Sequence, residues 1–479
     1  MASPSTVLPT APPSVRRERV SGWGGASSAV SYVYRPTTLD DVRRVFDLAR
    51  THGLTVGLRG AGRSYGDAAL NTDNICLDLS LMNRILGWDP EEGVMRVQPG
   101  VTIRQVWRHA IADGWWPAVV PGTMFTTAGG SAAMNVHGKN NWKAGPLGEH
   151  IRDLELLLPT GRIEQCSRTE RPELFHAAIG GFGMLGCFTS LSLELKRVHS
   201  GFLAVEPIVV PSLEAMLAAF EERLGRADYL VGWVDGFATG AHLGRGLVHA
   251  ARHLGPGEDP GPERSLQVDA QELSTTLFGV LPASIAWRLM RPFTNPLGLR
   301  LVNTAHYHLA RRHPDGYRES HAAFAFLFDR VPGWQRALGP GGLIQHQSFV
   351  PADRAREVFT AELRLAQQRD LLPYLGVVKR HRSDAFLMTH AVDGYSLALE
   401  FKVTRGNRGR LRALTAELDA LVIDAGGRFY LAKDSTLAPQ TFATSLGRER
   451  LERFHALKRA CDPEGLLATD LYRRLFPLS

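Results

Sequence analysis

Residues 59–67 read Arg-Gly-Ala-Gly-Arg-Ser-Tyr-Gly-Asp, a glycine-rich turn directly after a short apolar strand predicted at residues 54–58. Glycine tolerates positive φ and lets backbone N–H groups approach a phosphate closely. The turn is not a P-loop, because no Gly-Lys-Ser/Thr follows, and Tyr65 stands where a Rossmann fingerprint has its third glycine. It therefore indicates a phosphate-binding turn and disfavours a nicotinamide site.

Two more loops of small residues follow within the first 190 residues, Thr126-Thr127-Ala128-Gly129-Gly130 and the stretch 179–186. Any one of the three loops is explained equally well as an ordinary tight turn. Three together, each at a strand end and beside small or hydroxyl residues, indicate a large phosphorylated cofactor bound by backbone N–H groups.

The elements around these loops follow an α+β order. Thr38-Leu39-Asp40-Asp41 predicts a capped helix running to His52, and residues 154–159 and 163–166 predict a hairpin. Residues 265–300 show little periodicity and receive no assignment. Beyond residue 200 the patterns predict strands at 203–210, 343–350, 375–379, 395–401 and 429–431 and helices at 213–224, 354–370 and 410–425.

The composition is typical of a globular protein with two domains. The 479 residues carry 55 basic and 48 acidic side chains, a net charge of +7, and the basic residues are scattered. Aromatic residues are not interleaved with them as single-strand binding requires, so nucleic acid is not an expected partner. The four cysteines have no metal-ligand spacing, and neither a metal site nor a disulfide framework is predicted.

The N-terminal residues bear on location. Residues 1–18 are rich in Pro, Ser, Thr and Arg and are interpreted as a disordered leader without the apolar segment of a secretory signal. No apolar stretch is long enough to cross a bilayer, and the few cysteines fit a reducing compartment. The sequence favours a cytoplasmic location and leaves association with a membrane surface open.

Several motifs follow one another in a fixed order. After residues 59–67 come Val120-Pro121-Gly122-Thr123, the loop 127–130 and His137-Gly138-Lys139-Asn140. The series continues with residues 341–347, Lys379 and the run 427–435, which contains Ala-Lys-Asp-Ser. In these motifs the chain resembles the vanillyl-alcohol-oxidase-type flavoproteins. From about Gly22 onward it looks closest to their decaprenylphosphoryl-ribose 2′-oxidase family.

This resemblance implies an α+β fold with two domains. The first is a two-part FAD-binding domain of the vanillyl-alcohol-oxidase (PCMH) type, and the second is a substrate domain, an antiparallel sheet covered by helices. The expected segments are a disordered leader at 1–18, the FAD-binding domain at 19–200, the substrate (cap) domain at 201–425 and a C-terminal return to the FAD domain at 426–479.

The resemblance also implies FAD as the cofactor, with residues 58–68 around its pyrophosphate. Many relatives tether the flavin to a histidine in the first glycine loop. Residues 62–65 contain neither His nor Cys, so noncovalent FAD is predicted. The residues carried over as FAD-binding are Arg59, Gly60, Ala61, Gly62, Arg63, Ser64, Tyr65, Gly66, Asp67, Gly122, Thr127, Ala128, Gly129, Gly130, Asn135, His137, Phe188 and Tyr430.

Oxidation of an alcohol needs a group that takes the hydroxyl proton and groups that orient the substrate. Lys433 is the first candidate base, because burial lowers the pKa of a lysine; the alternative is a surface pair with Asp434. His137 could stabilise the flavin or relay a proton, or it could be a structural histidine. Tyr65 could shield the flavin or donate to the substrate, or simply pack.

The substrate-binding candidates lie in the second half. Gln345 and Gln347 alternate on one strand and face the same side, where they could bind sugar hydroxyls or form an exposed strand face. Lys379 could meet a phosphate, or it could share a solvated basic patch with Arg380 and Arg382.

Two positions depart from the family pattern. Ser396, also a substrate-binding candidate, stands where the family has asparagine, and Ala398 stands where it has cysteine. Neither side chain is needed to accept hydride, so these changes bear on the sugar pocket. The chain before Tyr307 also departs from the family, in a region that would shape the mouth of that pocket.

Three functions remain open. The first is oxidation of a polyprenyl-phosphate pentose at its 2′-hydroxyl, half of an epimerisation in arabinan precursor synthesis. The resemblance then allows a separate NAD(P)H-dependent reductase as partner and a peripheral contact with a membrane. The second is a soluble sugar, alditol or aldonolactone oxidase that uses oxygen. The third is a binding module that retains the fold without redox activity.

Overall fold

The computed structural model describes residues 16–277, 279, 281–312 and 315–476. Most of the predicted leader, residues 1–15, lies outside this range. Its predicted end at residue 18 is wrong by two residues, because a strand begins at Arg17 and pairs with a second strand from Arg17 opposite Tyr32 onward.

The N-terminal part of the chain alternates strands and helices as the sequence predicts. Its elements are β1 (Arg17–Ser21), β2 (Ser28–Tyr34), α1 (Leu39–Thr51), β3 (Val56–Arg59), β4 (Ile75–Asp78), β5 (Ile85–Asp89), β6 (Val94–Val97), α2 (Ile103–Ala110), β7 (Trp115–Pro117), α3 (Ala128–Ala133), α4 (Asn141–Ala144), β8 (Ile151–Leu157), β9 (Ile163–Ser167), α5 (Pro172–Ala178) and β10 (Cys187–Arg197).

These elements form two small sheets that share one core. In the first sheet, ordered β1-β2-β4-β3, the last three strands are parallel. The second sheet is antiparallel, ordered β5-β6-β10-β8-β9, with β7 also paired to β10. Helix α1 begins with the predicted capping box of Thr38 and Asp41, and its apolar face, which includes Val42 and Phe46, packs into the core.

The C-terminal part begins with an antiparallel region. Its elements are β11 (Phe202–Val210), α6 (Leu213–Glu221), β12 (Tyr229–Val234), β13 (Gly246–His253), α7 (Pro262–Ser265), α8 (Val268–Gln271), β14 (Thr276–Leu277), β15 (Leu281–Pro282), α9 (Ala286–Met290), α10 (Pro296–Leu309), β16 (Tyr317–Ser320), α11 (His321–Ala325), β17 (Leu343–Pro351), α12 (Ala352–Gln368), β18 (Leu375–His381), β19 (Gly394–Lys402), α13 (Arg408–Asp424), β20 (Arg428–Phe429), α14 (Pro439–Leu446), α15 (Arg448–Cys461) and α16 (Asp470–Leu475).

Eight of these strands form one antiparallel sheet in the order β16-β11-β13-β12-β18-β19-β17-β20. Helices α6, α12 and α13 cover one face of it and bury a second core, to which Phe220, Phe359 and Leu418 contribute. Because side chains alternate along each strand, half of them point to the opposite face of the sheet, which these helices do not cover. That open face turns toward the loops of the N-terminal domain.

The connections between the domains cross the predicted segment boundaries. Strand β20 pairs with β17, so the large sheet extends past residue 425. Residues 386–388, from the predicted substrate segment, pack into the first core. From α14 to α16 the chain lies against that core, where Phe454 and Leu471 are fully buried and Leu467 bridges to Val56.

Residues 265–300, which received no assignment, contain short helices and the first residues of α10. Among the described residues, no helix combines the length and apolar character needed to span a membrane.

Candidate active site

A cavity of about 580 Å³ lies between the N-terminal loops and the open face of the eight-stranded sheet. One side, here called the loop wall, comes from three segments, residues 58–64, 121–131 and 182–188. The opposite side, the strand wall, consists of side chains of β12, β13, β17, β18 and β19 together with Lys433. The three loops that the sequence singled out therefore meet at one site.

The first two loops pack directly on each other. A Cβ at Gly60 would lie 2.2 Å from Thr127 Oγ1, so only glycine allows this approach. Thr127 caps α3 by accepting a hydrogen bond from Gly130 N at 3.2 Å. At Gly62, φ is +63°, a conformation that L side chains rarely adopt.

The loop wall also leaves polar groups unpaired toward the cavity. Thr126 Oγ1, Ser131 Oγ and Arg63 Nε are buried without a hydrogen-bond partner among the described residues, and all three residues line the cavity. Burial lowers the pKa of Arg63. Buried donors are normally satisfied, so these groups point to an anionic ligand with several acceptor atoms. Such a wall fits the phosphates of a dinucleotide.

Most of the residues carried over as FAD-binding lie on the cavity. These are Arg59, Gly60, Ala61, Gly62, Arg63, Ser64, Gly122, Thr127, Gly129, Gly130, His137, Phe188 and Tyr430.

Five of the carried-over residues do not line the cavity, and each has another structural role. Gly66 packs against the backbone of Asp434, and Asp67 pairs with Arg474 at 2.8 Å. Ala128 is fully buried in the first core. Asn135 accepts a hydrogen bond from Gly148 N at 2.9 Å.

Tyr65 is the fifth, and its placement favours the alternative that its side chain packs. Its side chain is buried behind the cavity, and its hydroxyl donates to Glu400 Oε1 at 2.7 Å. Its ring lies 3.8 Å from Lys433 Nζ, measured to the ring centroid. Tyr65 therefore packs behind Lys433, a residue that lines the cavity.

The strand wall contains three of the four predicted substrate-binding residues. Gln345 and Gln347 on β17 and Lys379 on β18 all line the cavity. The fourth, Ser396, is fully buried and does not line it. Its hydroxyl lies 2.8 Å from His381 Nε2 and 3.4 Å from Gln347 Nε2. Ser396 therefore positions these two side chains, which cover it.

Lys433 lines the cavity, and its amine has little compensating negative charge nearby. Its burial lowers its pKa to about 7, although the carboxylate of Glu400 opposes the shift. The alternative pairing with Asp434 is absent, because Asp434 pairs with Arg474 at 2.8 Å. Aromatic rings of Tyr65 and Trp23 surround the ammonium group instead.

Glu400 was not found from the sequence, although it organises this end of the strand wall. Its buried carboxylate accepts hydrogen bonds from the Tyr65 hydroxyl at 2.7 Å and from Gln345 Nε2 at 2.8 Å. Burial raises its pKa. The residue lies on β19, where apolar residues alternate along the strand. Its place in the site becomes evident only from its cross-strand pairing with Gln345.

His137 lines the cavity within a cluster of buried rings. Its Nε2 lies 3.2 Å from Gln347 Nε2, and its ring centroid lies 5.0 Å from that of Tyr430 and 5.0 Å from that of His381. Burial and neighbouring cations hold its pKa well below the usual range. It is therefore neutral, and Nδ1 lacks a partner among the described residues.

Two other lysines line the cavity. Burial lowers the pKa of Lys379 to about 8 and that of Lys139 to about 7. Lys139 donates to Phe324 O, and it too was missed as a site residue although it lies in the His-Gly-Lys-Asn motif. Arg380 and Arg382, the neighbours of Lys379, instead make ion pairs at residues 393 and 149. The predicted basic patch therefore does not include Lys379.

Comparison with known proteins identifies the cofactor. Residues 30–167 match the family model of an FAD binding domain. The chain is 29% identical to decaprenylphosphoryl-beta-D-ribose oxidase of Mycolicibacterium smegmatis over 469 residues, covering 96% of this chain and 97% of the relative. It is 29% identical to L-gulonolactone oxidase of Bos taurus over 41% of this chain and 43% of the relative.

D-lactate dehydrogenase of Anaerostipes hadrus is 30% identical over 33% of this chain and 35% of its own length. These similarities confirm the resemblance to flavin oxidases that the sequence motifs indicated. Combined with the unpaired donors of the loop wall, they lead to one conclusion: the chain is an FAD-dependent oxidoreductase.

Proposed function

We propose that the protein oxidises a secondary hydroxyl of a pentose carried on a polyprenyl phosphate, at the 2′ position, as one half of an epimerisation. The observation that carries this proposal is Lys433, an amine with a pKa of about 7 that faces the same cavity as the glycine loops. The similarity to a decaprenylphosphoryl-ribose oxidase over 96% of the chain supports the substrate class.

The residues of the strand wall divide the chemistry of alcohol oxidation among them. Bound FAD supplies the acceptor for the hydride. Lys433 is largely neutral above pH 7 and accepts the hydroxyl proton at Nζ. Gln345 and Gln347 hold neighbouring sugar hydroxyls, and Glu400 fixes Gln345 by accepting its amide hydrogen bond at 2.8 Å.

The phosphate of the substrate has its own partners. Lys139 and Lys379 line the cavity, and neither pairs with a carboxylate among the described residues. A phosphate close to these two amines would restore their pKa values toward the ordinary range, and that recovered charge contributes to binding.

FAD binds noncovalently in this proposal. No His or Cys occurs in residues 59–67, and the imidazole of His137, which lines the cavity, lies with its Nε2 3.2 Å from Gln347 Nε2. Acid precipitation tests this directly, because noncovalent flavin remains in the supernatant. Yellow colour retained in the pellet would contradict the proposal.

The substrate class is tested by anaerobic bleaching of the flavin absorbance. We expect a polyprenyl-phosphate pentose to bleach it and free alditols and aldonolactones to leave it unchanged. Bleaching by a lactone alone would instead favour the second candidate, a sugar or lactone oxidase that uses oxygen. The similarity to L-gulonolactone oxidase favours that candidate, but it covers 41% of the chain rather than 96%.

A separate NAD(P)H-dependent reductase would complete the epimerisation by reducing the ketone. Product analysis tests this step: with this enzyme alone the keto sugar accumulates, and the epimer forms only when a reductase is added.

A further inference from the structure

One short region of the C-terminal domain exposes an unusual number of large apolar side chains. Eight of the fifteen such side chains exposed among the described residues lie between residues 285 and 309. They are Ile285, Leu289, Met290, Phe293, Leu297, Leu301, Val302 and Leu309, here called the apolar surface. A contiguous exposed apolar patch on a folded protein generally marks a binding site.

Helix α10 contributes four residues to this surface. Leu297 and Leu301 are four residues apart and therefore neighbours on one face, where they are 70% and 60% exposed; Leu309, 48% exposed, lies at the end of the helix. The helix is anchored by other residues. Asn303 is buried and donates to Asp235 Oδ1 at 2.9 Å, and Tyr307 is also buried. Leu297 and Leu301 are thus available without unfolding the helix.

The ionic side chains in the sequence around the apolar surface are positively charged. From residue 273 to 314 the sequence contains five arginines, at positions 288, 291, 300, 311 and 312, and no Asp or Glu. The exposed arginines at 288, 291 and 300 make no ion pair within the part of the chain that the structure describes. Apolar side chains beside unpaired arginines match the interface of an anionic bilayer, which offers acyl chains beneath a layer of phosphates.

The same helix forms part of the mouth of the cavity. His306, on α10, is exposed and lines the cavity, and its ring lies 4.7 Å from that of Trp233, another lining residue. Leu327, 51% exposed, also lines the cavity. A bilayer against the apolar surface would therefore lie next to the cavity entrance.

We propose that α9 and α10 dock the protein on bilayers that contain anionic lipids, with the apolar surface in the interface and the arginines on the phosphates. A second copy of the chain fits this surface less well. In a two-fold contact the same patch meets itself, so arginines would face arginines without an acidic partner. The inference depends on this surface alone and not on the proposed substrate.

Sedimentation of the full chain, loaded with FAD, with vesicles free of any sugar lipid tests the proposal. One set contains equal parts phosphatidylglycerol and phosphatidylcholine, and the other contains phosphatidylcholine only. We expect binding to the first set, and about tenfold weaker binding after Leu297→Ser with Leu301→Ser. The matched control is Leu81→Ser with Leu86→Ser, which changes leucines that are 48% and 47% exposed in the N-terminal domain.

Charge is tested separately with Arg288→Gln, Arg291→Gln and Arg300→Gln. We expect this triple variant to lose the preference for phosphatidylglycerol, whereas Arg405→Gln, Arg408→Gln and Arg412→Gln, at other exposed arginines, retain it. Flavin absorbance confirms that each variant is folded.

Three results would overturn the proposal. Wild-type protein could fail to bind the anionic vesicles, or the leucine variant could bind as well as wild type. A leucine variant that becomes smaller on size exclusion while still binding vesicles would identify the surface as a subunit interface instead. Flavin reduction by a detergent-solubilised polyprenyl-phosphate pentose requires no vesicle, so the proposed function is tested independently of these outcomes.

Discussion

The loop wall of the cavity is built from closely packed glycine-rich loops with small or hydroxyl side chains, whereas the strand wall carries long amide and lysine side chains. On the loop wall, glycine at position 60 allows the close approach to Thr127, and the buried polar atoms Arg63 Nε, Thr126 Oγ1 and Ser131 Oγ have no hydrogen-bond partner among the described residues. On the strand wall, burial lowers the pKa of Lys379 and Lys433 toward neutrality. The difference suggests that shape sets cofactor affinity and that electrostatics sets reactivity.

The largest effect expected is on the strand wall. Replacing Lys433 with alanine removes the proposed base, so the rate of flavin reduction by substrate should fall by about a thousandfold. FAD should stay bound, since the loop wall is unchanged. Stopped-flow absorbance measures the rate, and Lys143→Ala, at a surface ion pair with Asp228, is the control. Undiminished reduction in the Lys433 variant would show that another group takes the proton.

The matching test of the loop wall is Gly60→Ala. The added Cβ would lie 2.2 Å from Thr127 Oγ1, forcing the first two loops apart. FAD affinity should fall by about a hundredfold, a loss of some 3 kcal/mol of binding free energy. Fluorescence titration of the apoprotein measures it. Gly87→Ala, where no atom lies within 4 Å of the new Cβ, should bind FAD normally. Equal affinity in both variants would contradict the role of the glycine contact.

Lys379→Met separates binding from chemistry on the strand wall. Loss of the phosphate partner should raise KM by about tenfold and change kcat little. The same variant should have a higher unfolding temperature at pH 7. The folded protein lowers the pKa of Lys379 from 10.5 to about 8, which favours the unfolded state until the amine is neutral in both states.

This gain in stability should therefore shrink as the pH rises from 8 through 10.5. Calorimetry across that range checks the sign. Lys402→Met, on β19 but outside the cavity, should leave KM unchanged. An unaltered KM in the Lys379 variant would remove this lysine from the phosphate site.

The smallest effect is expected at Glu400. Its negative charge raises the pKa of Lys433, so Glu400→Gln should move the midpoint of the pH–rate profile from near 7 to lower pH by about one unit. The control is Glu417→Gln, at an ion pair with Arg369 outside the cavity. A midpoint that stays at its wild-type value would show that the profile does not report on Lys433.

Local patterns predicted most of the elements. The capping box at Thr38, the hairpin around residue 160 and the strand at residues 203–210 all form as expected. These features depend on interactions between residues close in sequence, which a single sequence displays. The helices within residues 265–309 were missed because their periodicity is interrupted by proline and glycine and because the exposed face of α10 is apolar.

The site was predicted in part. Gln345, Gln347, Lys379 and Lys433 were named from strand alternation and from family resemblance, and all four line the cavity. The side chains of Tyr65 and Ser396 lie behind those that line the cavity. The sequence could not predict this, because it does not show which of two neighbouring side chains covers the other.

The sequence by itself determined the glycine loops, the capped helices, the alternating strands and the absence of His and Cys from the first loop. Those properties reside in short segments, where backbone conformation and side-chain alternation follow from residue type. Only the tertiary structure decided that Glu400 would reach Lys433 and Tyr65, or that three lysines would share one cavity. The pKa of each lysine depends on burial and on charges brought from distant strands, and folding alone supplies both.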